Sequence, residues 1–157
     1  MRFETLVKGF GAKLSVKGAS LTLGLLVAGG ASAEELLHAT MHKMPYCTCC
    51  EGHAEHLRAN GFDVEIKEVE DLTPIRKAEG VPTELEGCHT ILIDDLAVEG
   101  HVSAGTIKRF LSERPAGVEG IAMPGMPTGV PGMPGPKEGP IDILAFGAGE
   151  PTVFAVE

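Results

Sequence analysis

The chain has 157 residues, with 13 Lys+Arg against 22 Asp+Glu for a formal net charge of −9, 43% apolar residues, four cysteines and no tryptophan. Such acidity disfavours nucleic acid and anionic membrane surfaces, both of which are held by basic patches, and favours a cation as the partner. The length allows one core and is too short for two once the N-terminal segment is set aside.

Residues 1–18 carry Arg2, Lys8, Lys13 and Lys17 against Glu4, an apolar run follows over 19–30, and Ala31-Ser32-Ala33 closes it. Basic, apolar and small segments in this order read as a secretory signal peptide, with a run well short of the ~20 residues that cross a bilayer. We therefore expect a signal peptide at 1–33 and a single exported domain at 34–157. No cysteine follows the cleavage point to carry a lipid. The domain keeps 9 basic and 21 acidic residues, a net charge of −12.

Residues 35–42 read as a first strand through Leu36, Leu37, Ala39 and Met41. Next comes Cys47-Thr48-Cys49-Cys50, three cysteines in four residues, with the fourth, Cys88, far downstream. Cys47 and Cys50 have the spacing of redox pairs and metal clips, and Cys47 and Cys49 form a tighter C-x-C. The helix expected over 51–60 places Cys49 and Cys50 at its N-terminus, where unpaired amides favour the thiolate. Gly61 stops that helix, and 62–69 alternates apolar and charged residues as a strand with one wet face.

A second helix is expected over 72–79, with Thr73 as its cap, Pro74 at the first helical position and Gly80 as the stop. Cys88 opens a buried strand, His89-Thr90-Ile91-Leu92-Ile93, which Asp94-Asp95 turns into Leu96-Ala97-Val98-Glu99. Ser103 caps a helix over 104–112 whose apolar face is Ile107, Phe110 and Leu111. The order β-α-β-α-β-β-α is a thioredoxin-like arrangement with the cysteine turn at the redox position.

In 120–140, 12 of 21 residues are Gly or Pro, which rules out helix and central strand and predicts an ordered loop or cover. Residues 141–146 and 152–155 read as a terminal hairpin that either extends the sheet or covers its edge. The expected fold is thus α/β and thioredoxin-like, a mixed sheet flanked by helices with a Pro/Gly/Met-rich loop and a C-terminal hairpin.

Taken together, Met44-Pro45-Tyr46-Cys47-Thr48-Cys49-Cys50, Leu57-Arg58-Ala59-Asn60-Gly61-Phe62, Gly80-Val81-Pro82, Cys88-His89-Thr90, Glu99-Gly100-His101-Val102 and Pro124-Gly125-Met126-Pro127 resemble the CopG family of small exported bacterial copper-resistance proteins. The resemblance spans nearly the whole exported segment in order. It implies a periplasmic thioredoxin-like domain that binds Cu(I) through Cys47, Cys49, Cys50 and Cys88 as a thiolate-bridged multicopper cluster. One departure is Ser103, where the family more often has proline; it concerns a helix start and leaves the cysteines untouched.

Elementary ligand chemistry agrees with that implication. Thiolate selects Cu(I), and three thiols within four residues suit a cluster of bridged ions better than one tetrahedral ion. Zinc stays open, because four cysteines complete its tetrahedron. His89 and His53 read as neighbours of the ligands or as surface, His101 as a turn residue that orients its loop, and His38, His42 and His56 as solvated. Met44, Met123, Met126 and Met133 offer thioethers or merely fill gaps; if the loop is a lid, Met126 is the expected contact, and Met44 and His89 are the other expected neighbours of the metal.

Two other readings compete. One is an envelope thiol-disulfide oxidoreductase with Cys47 as nucleophile and Cys50 as resolving thiol, against which stands Cys88 at the place where such enzymes usually keep a cis-proline. The other is a scaffold stapled by two disulfides, which leaves no free thiol. The leading expectation is a Cu(I)-binding protein of copper tolerance, with other periplasmic copper-handling proteins as partners and copper-linked redox activity as an extension.

Overall fold

A computed structural model describes residues 35–157, so the expected signal peptide lies outside the described residues. Strand β1 (Leu37–Lys43), helix α1 (Thr48–Ala59) and strand β2 (Phe62–Glu68) form a β-α-β unit in which the strands pair in parallel from Leu37↔Phe62 to Lys43↔Glu68. Gly61 makes the reversal at φ 87°, a backbone angle open to glycine. Helix α1 buries Cys50, His53, Ala54 and Leu57, one stripe at three- and four-residue spacing that lays the helix on the sheet.

Helix α2 (Thr73–Ala78) is shorter than expected, and Leu72 rather than Thr73 stands at its N-cap, with no side-chain cap; the Asp71 carboxylate just ahead of it accepts from the Thr73 amide at 2.9 Å. The hairpin of β3 (His89–Ile93) and β4 (Leu96–Glu99) forms as expected, with Asp94 in the left-handed region at φ 53°. Cys88 stands just before β3 instead of opening it. Helix α3 (Ala104–Glu113) is capped by Ser103, whose side chain accepts from the Thr106 amide.

The next element departs from expectation. Residues Val118–Ala122 form strand β5, parallel to β4, so the lower end of the Gly/Pro-rich stretch is central sheet. Gly120 is the reason the composition misleads: a Cβ there would press on the Phe146 ring and the Ala97 carbonyl, so glycine is what lets this strand approach its neighbours. Strands β6 (Asp142–Gly147) and β7 (Gly149–Val156) then extend the same sheet.

The mixed seven-stranded sheet has the order β2-β1-β3-β4-β5-β6-β7. One face packs the main core, where Ile91, Ile93, Leu96, Val98 and Ile121 meet Leu57 of α1 and Ile107 and Phe110 of α3. The other carries a smaller core of Val81, Leu85, Ala97, Ala122 and Phe146. Period-two alternation along β3 and β4 divides the two cores. Among the described residues no helix is long and apolar enough to cross a membrane.

Candidate metal centre

Cys47 is the N-cap of α1, and Cys49 and Cys50 lie in its first turn. Cys88 reaches them from the start of β3, because β1 and β3 are adjacent and antiparallel and α1 follows directly from the end of β1. One sulfur from each of the four cysteines lies within 4.8 Å of all the others. Cys47 and Cys50 are joined as a disulfide with a Cα separation of 5.4 Å, and Cys49 and Cys88 are free thiols. The two-disulfide scaffold is therefore not what forms. Cys47 Sγ lies 3.4 Å from Cys49 Sγ, and Cys50 Sγ lies 3.7 Å from Cys88 Sγ.

Three histidines surround Cys88 on its other side. His101 Nε2 is 3.1 Å and His89 Nδ1 3.2 Å from the Cys88 sulfur. His89 can meet its chain neighbour because strand alternation begins at His89 and Cys88 lies outside it. His53, fully buried in α1, meets His89 Nε2 through Nδ1 at 2.8 Å and donates from Nε2 to the Val102 carbonyl at 2.8 Å. His101 donates from Nδ1 to the Pro131 carbonyl at 2.7 Å.

Those carbonyls fix the tautomers, since a carbonyl only accepts. Burial lowers the pKa of all three imidazoles, that of His53 to about 3, so each is neutral near pH 7. His53 then carries its proton on Nε2 and accepts at Nδ1 from His89 Nε2, which leaves a lone pair on His89 Nδ1. His101, protonated on Nδ1, presents a lone pair on Nε2. Both lone pairs point at one sulfur. Burial, and next the neighbouring Cys49, push the Cys88 thiol up to about 12, so it keeps its proton in the metal-free protein.

The Pro/Gly/Met loop closes over this corner. Gly132 packs so closely on α1 that a Cβ there would collide with the Cys49 carbonyl and sit 2.6 Å from the His53 amide nitrogen, and a Cβ on Gly52 would lie 3.0 Å from the Gly132 Cα. Met133 packs partly buried against the main core, as Cys47 and Cys49 also do, and Met123 is fully buried. Met126 is exposed, and with Glu86, Gly87, Cys88 and Gly125 it lines an open cavity of about 210 Å³. Met44 is also exposed.

Of the remaining histidines, His38 is exposed beside Asp63, and His42 is half-buried, with Nδ1 lacking a partner. His56 is not simply solvated, because its Nε2 accepts from the Ala104 amide at 3.2 Å at the start of α3. The role of His101 was legible in principle. The register Thr90↔Glu99, continued one step past the paired residues, brings His89 level with Gly100, and a second step brings Cys88 level with His101.

The family described as "Protein of unknown function, DUF411" matches residues 85–133. Two solved structures, "Copper resistance protein copG- Form 1" and its Form 2, are each 35% identical to this chain with a TM-score of 0.72, covering 78% of it and 98% and 99% of their own lengths. No protein of curated function matches the chain.

Proposed function

This chain belongs to the CopG copper-resistance protein family, and from that premise we propose that it is a periplasmic copper-tolerance protein that binds Cu(I). The observation that carries the reading is the convergence of four cysteine sulfurs within 4.8 Å. With the Cys47–Cys50 disulfide reduced, Cys47, Cys49, Cys50 and Cys88 supply four thiolates, a soft donor set that suits Cu(I) and bridging between ions. Zinc fits the same count and is the competing metal. Strands in the order β2-β1-β3-β4, with β1 and β2 parallel and β3 antiparallel to both neighbours, support a thioredoxin-like reading of the first half.

The test is anaerobic Cu(I) loading of the reduced domain, with copper and free thiols counted per chain beside Cys88→Ser. Several coppers per chain, reduced in the variant, are expected. A reduced wild-type protein that holds no copper against a competing chelator overturns the reading.

A second reading has its own observation, the Cys47–Cys50 bond itself. It makes the protein an envelope thiol-disulfide oxidoreductase. Disulfide exchange would then survive Cys88→Ser and fail in Cys47→Ser, whereas copper binding weakens in the former.

A further inference from the structure

Among the described residues the sheet ends in two strands with an open side, β2 and β7. An open edge offers unpaired amides and carbonyls to any incoming strand, and a second copy of the same chain always carries a matching one. The same device stands at both edges, supplied by the two helices that pack on the main core.

At the β7 end, Ile141 and Glu157 exchange both backbone bonds at 2.9 Å, so the next residue, Val156, turns its amide and carbonyl to the open side. Ile143 pairs with Ala155 and Leu144 with Val153, which leaves Phe154 as a bulged residue opposite no partner of its own. Arg109 of α3 lies over the Phe154 ring, 4.5 Å from its centroid, and donates from Nη2 to the Phe154 carbonyl at 2.9 Å. At the β2 end Arg58, in the last turn of α1, donates from Nη2 to the Val64 carbonyl at 2.7 Å. On each outer strand one carbonyl is thus held by a guanidinium that an added strand would have to displace.

The two edges differ in what else protects them. Along β2 the exposed side chains are Asp63, Glu65, Lys67 and Glu68, charges that resist a second strand. Along β7 they include Val153 and Val156, 56% and 60% exposed, so an added strand would bury apolar surface there. The apolar edge is the one that gains by pairing.

We propose that β7 is a latent pairing edge for a second copy of this chain, and that Arg109 keeps it shut by holding the Phe154 carbonyl, as Arg58 holds Val64 at the other end. A two-fold pair through β7 would run two sheets into one and would have to displace Arg109 on both copies. Association of this kind is independent of the metal the chain binds, so it stands or falls apart from the reading above.

The test is the mass of the protein in solution, by light scattering over a concentration series, with exchange of the Val156 amide read alongside. The wild type is expected to be a single chain whose Val156 amide exchanges freely at every concentration. Arg109→Met keeps a stem over the Phe154 ring and removes the donors. Self-association should tighten about a hundredfold in it, roughly tenfold for each guanidinium that a symmetric pair no longer displaces. The Val156 amide should then become protected as concentration rises, and adding Val156→Lys should return the variant to a single chain. Arg58→Met, with the charges of β2 still in place, should shift association less. Should Arg109→Met fail to fold, Arg109→Lys takes its place, with a smaller shift in the same direction. A folded Arg109 variant that stays a single chain, a dimer that survives Val156→Lys, or a wild type already paired through β7 would each overturn the proposal.

Discussion

Two buried polar clusters flank β3, and they are built on opposite logic. On the face of the smaller core, Glu99 is fully buried and accepts from Arg76 Nη2 at 2.7 Å, the Gly87 amide at 2.8 Å and the Thr90 hydroxyl at 2.7 Å. Arg76 also donates to the Gly87 carbonyl and to Glu86, and only its Nε lacks a partner. Burial pushes the Glu99 carboxyl up, and Thr90, Gly87 and Arg76 pull it back. On the other face, around Cys88, acceptors outnumber donors. A buried group whose partners are complete holds a fold together, and one whose partners fall short is ready to take another.

The contrast can be broken from its saturated side. Arg76→Ala leaves the Glu99 carboxylate buried and unpaired, and should cost about 3–5 kcal/mol. Urea unfolding would measure it, and added copper should recover none of the difference between variant and wild type. Rescue by metal would mean that the two clusters are not separate.

Acid tests the unsaturated side. His53 and His89 are neutral in the folded protein with pKa values lowered by burial, and both regain an ordinary value near 6.5 on unfolding. The unfolded chain therefore binds more protons below that value, so stability is complete above it and is lost as pH falls toward the folded pKa values. The slope approaches about 1.4 kcal/mol per pH unit for each imidazole, so a loss on the order of 2–3 kcal/mol is expected for the pair between pH 7 and 5.5. Unfolding of the metal-free domain across this range checks it, and a flat profile would mean that these rings are solvated.

Gly132→Ala should act most gently on the fold and most selectively on the site. The added methyl collides with the first turns of α1 and strains a backbone at φ 84°. A cost of about 1–3 kcal/mol is expected, together with faster copper release, because Pro131 is displaced from His101. Stopped-flow chelator competition would show it, and unchanged release would detach the loop from the site.

Much of this was written in local sequence. Alternation in 62–69, the Asp94-Asp95 turn, the Ser103 cap and the crowding of Cys47, Cys49 and Cys50 are short-range signals, and each produced the element or cluster it implied. Strand β5 was hidden because Gly120 serves a neighbour, Phe146, that is 26 residues away in sequence. The grouping of the histidines was hidden for a related reason: His53 comes from α1, His89 from β3 and His101 from the turn after β4, and only the packing of α1 over the β3–β4 hairpin makes them one group. His56 reads as solvated until α3 arrives to donate its amide.

The loop that ends at β6 begins at β5, and these strands are ladder partners, with Ala122 opposite Leu144. Its two ends are pinned side by side by the sheet. Loop-closure entropy grows only slowly with length, by about 0.6 kcal/mol per doubling. Descendants of this chain can therefore lengthen, trim or rewrite the exposed parts of the excursion at little cost to the sheet, so long as Met123 and Val130 stay in the core, one carbonyl returns to His101 and one glycine to α1. The scaffold and the cover are free to evolve at different speeds.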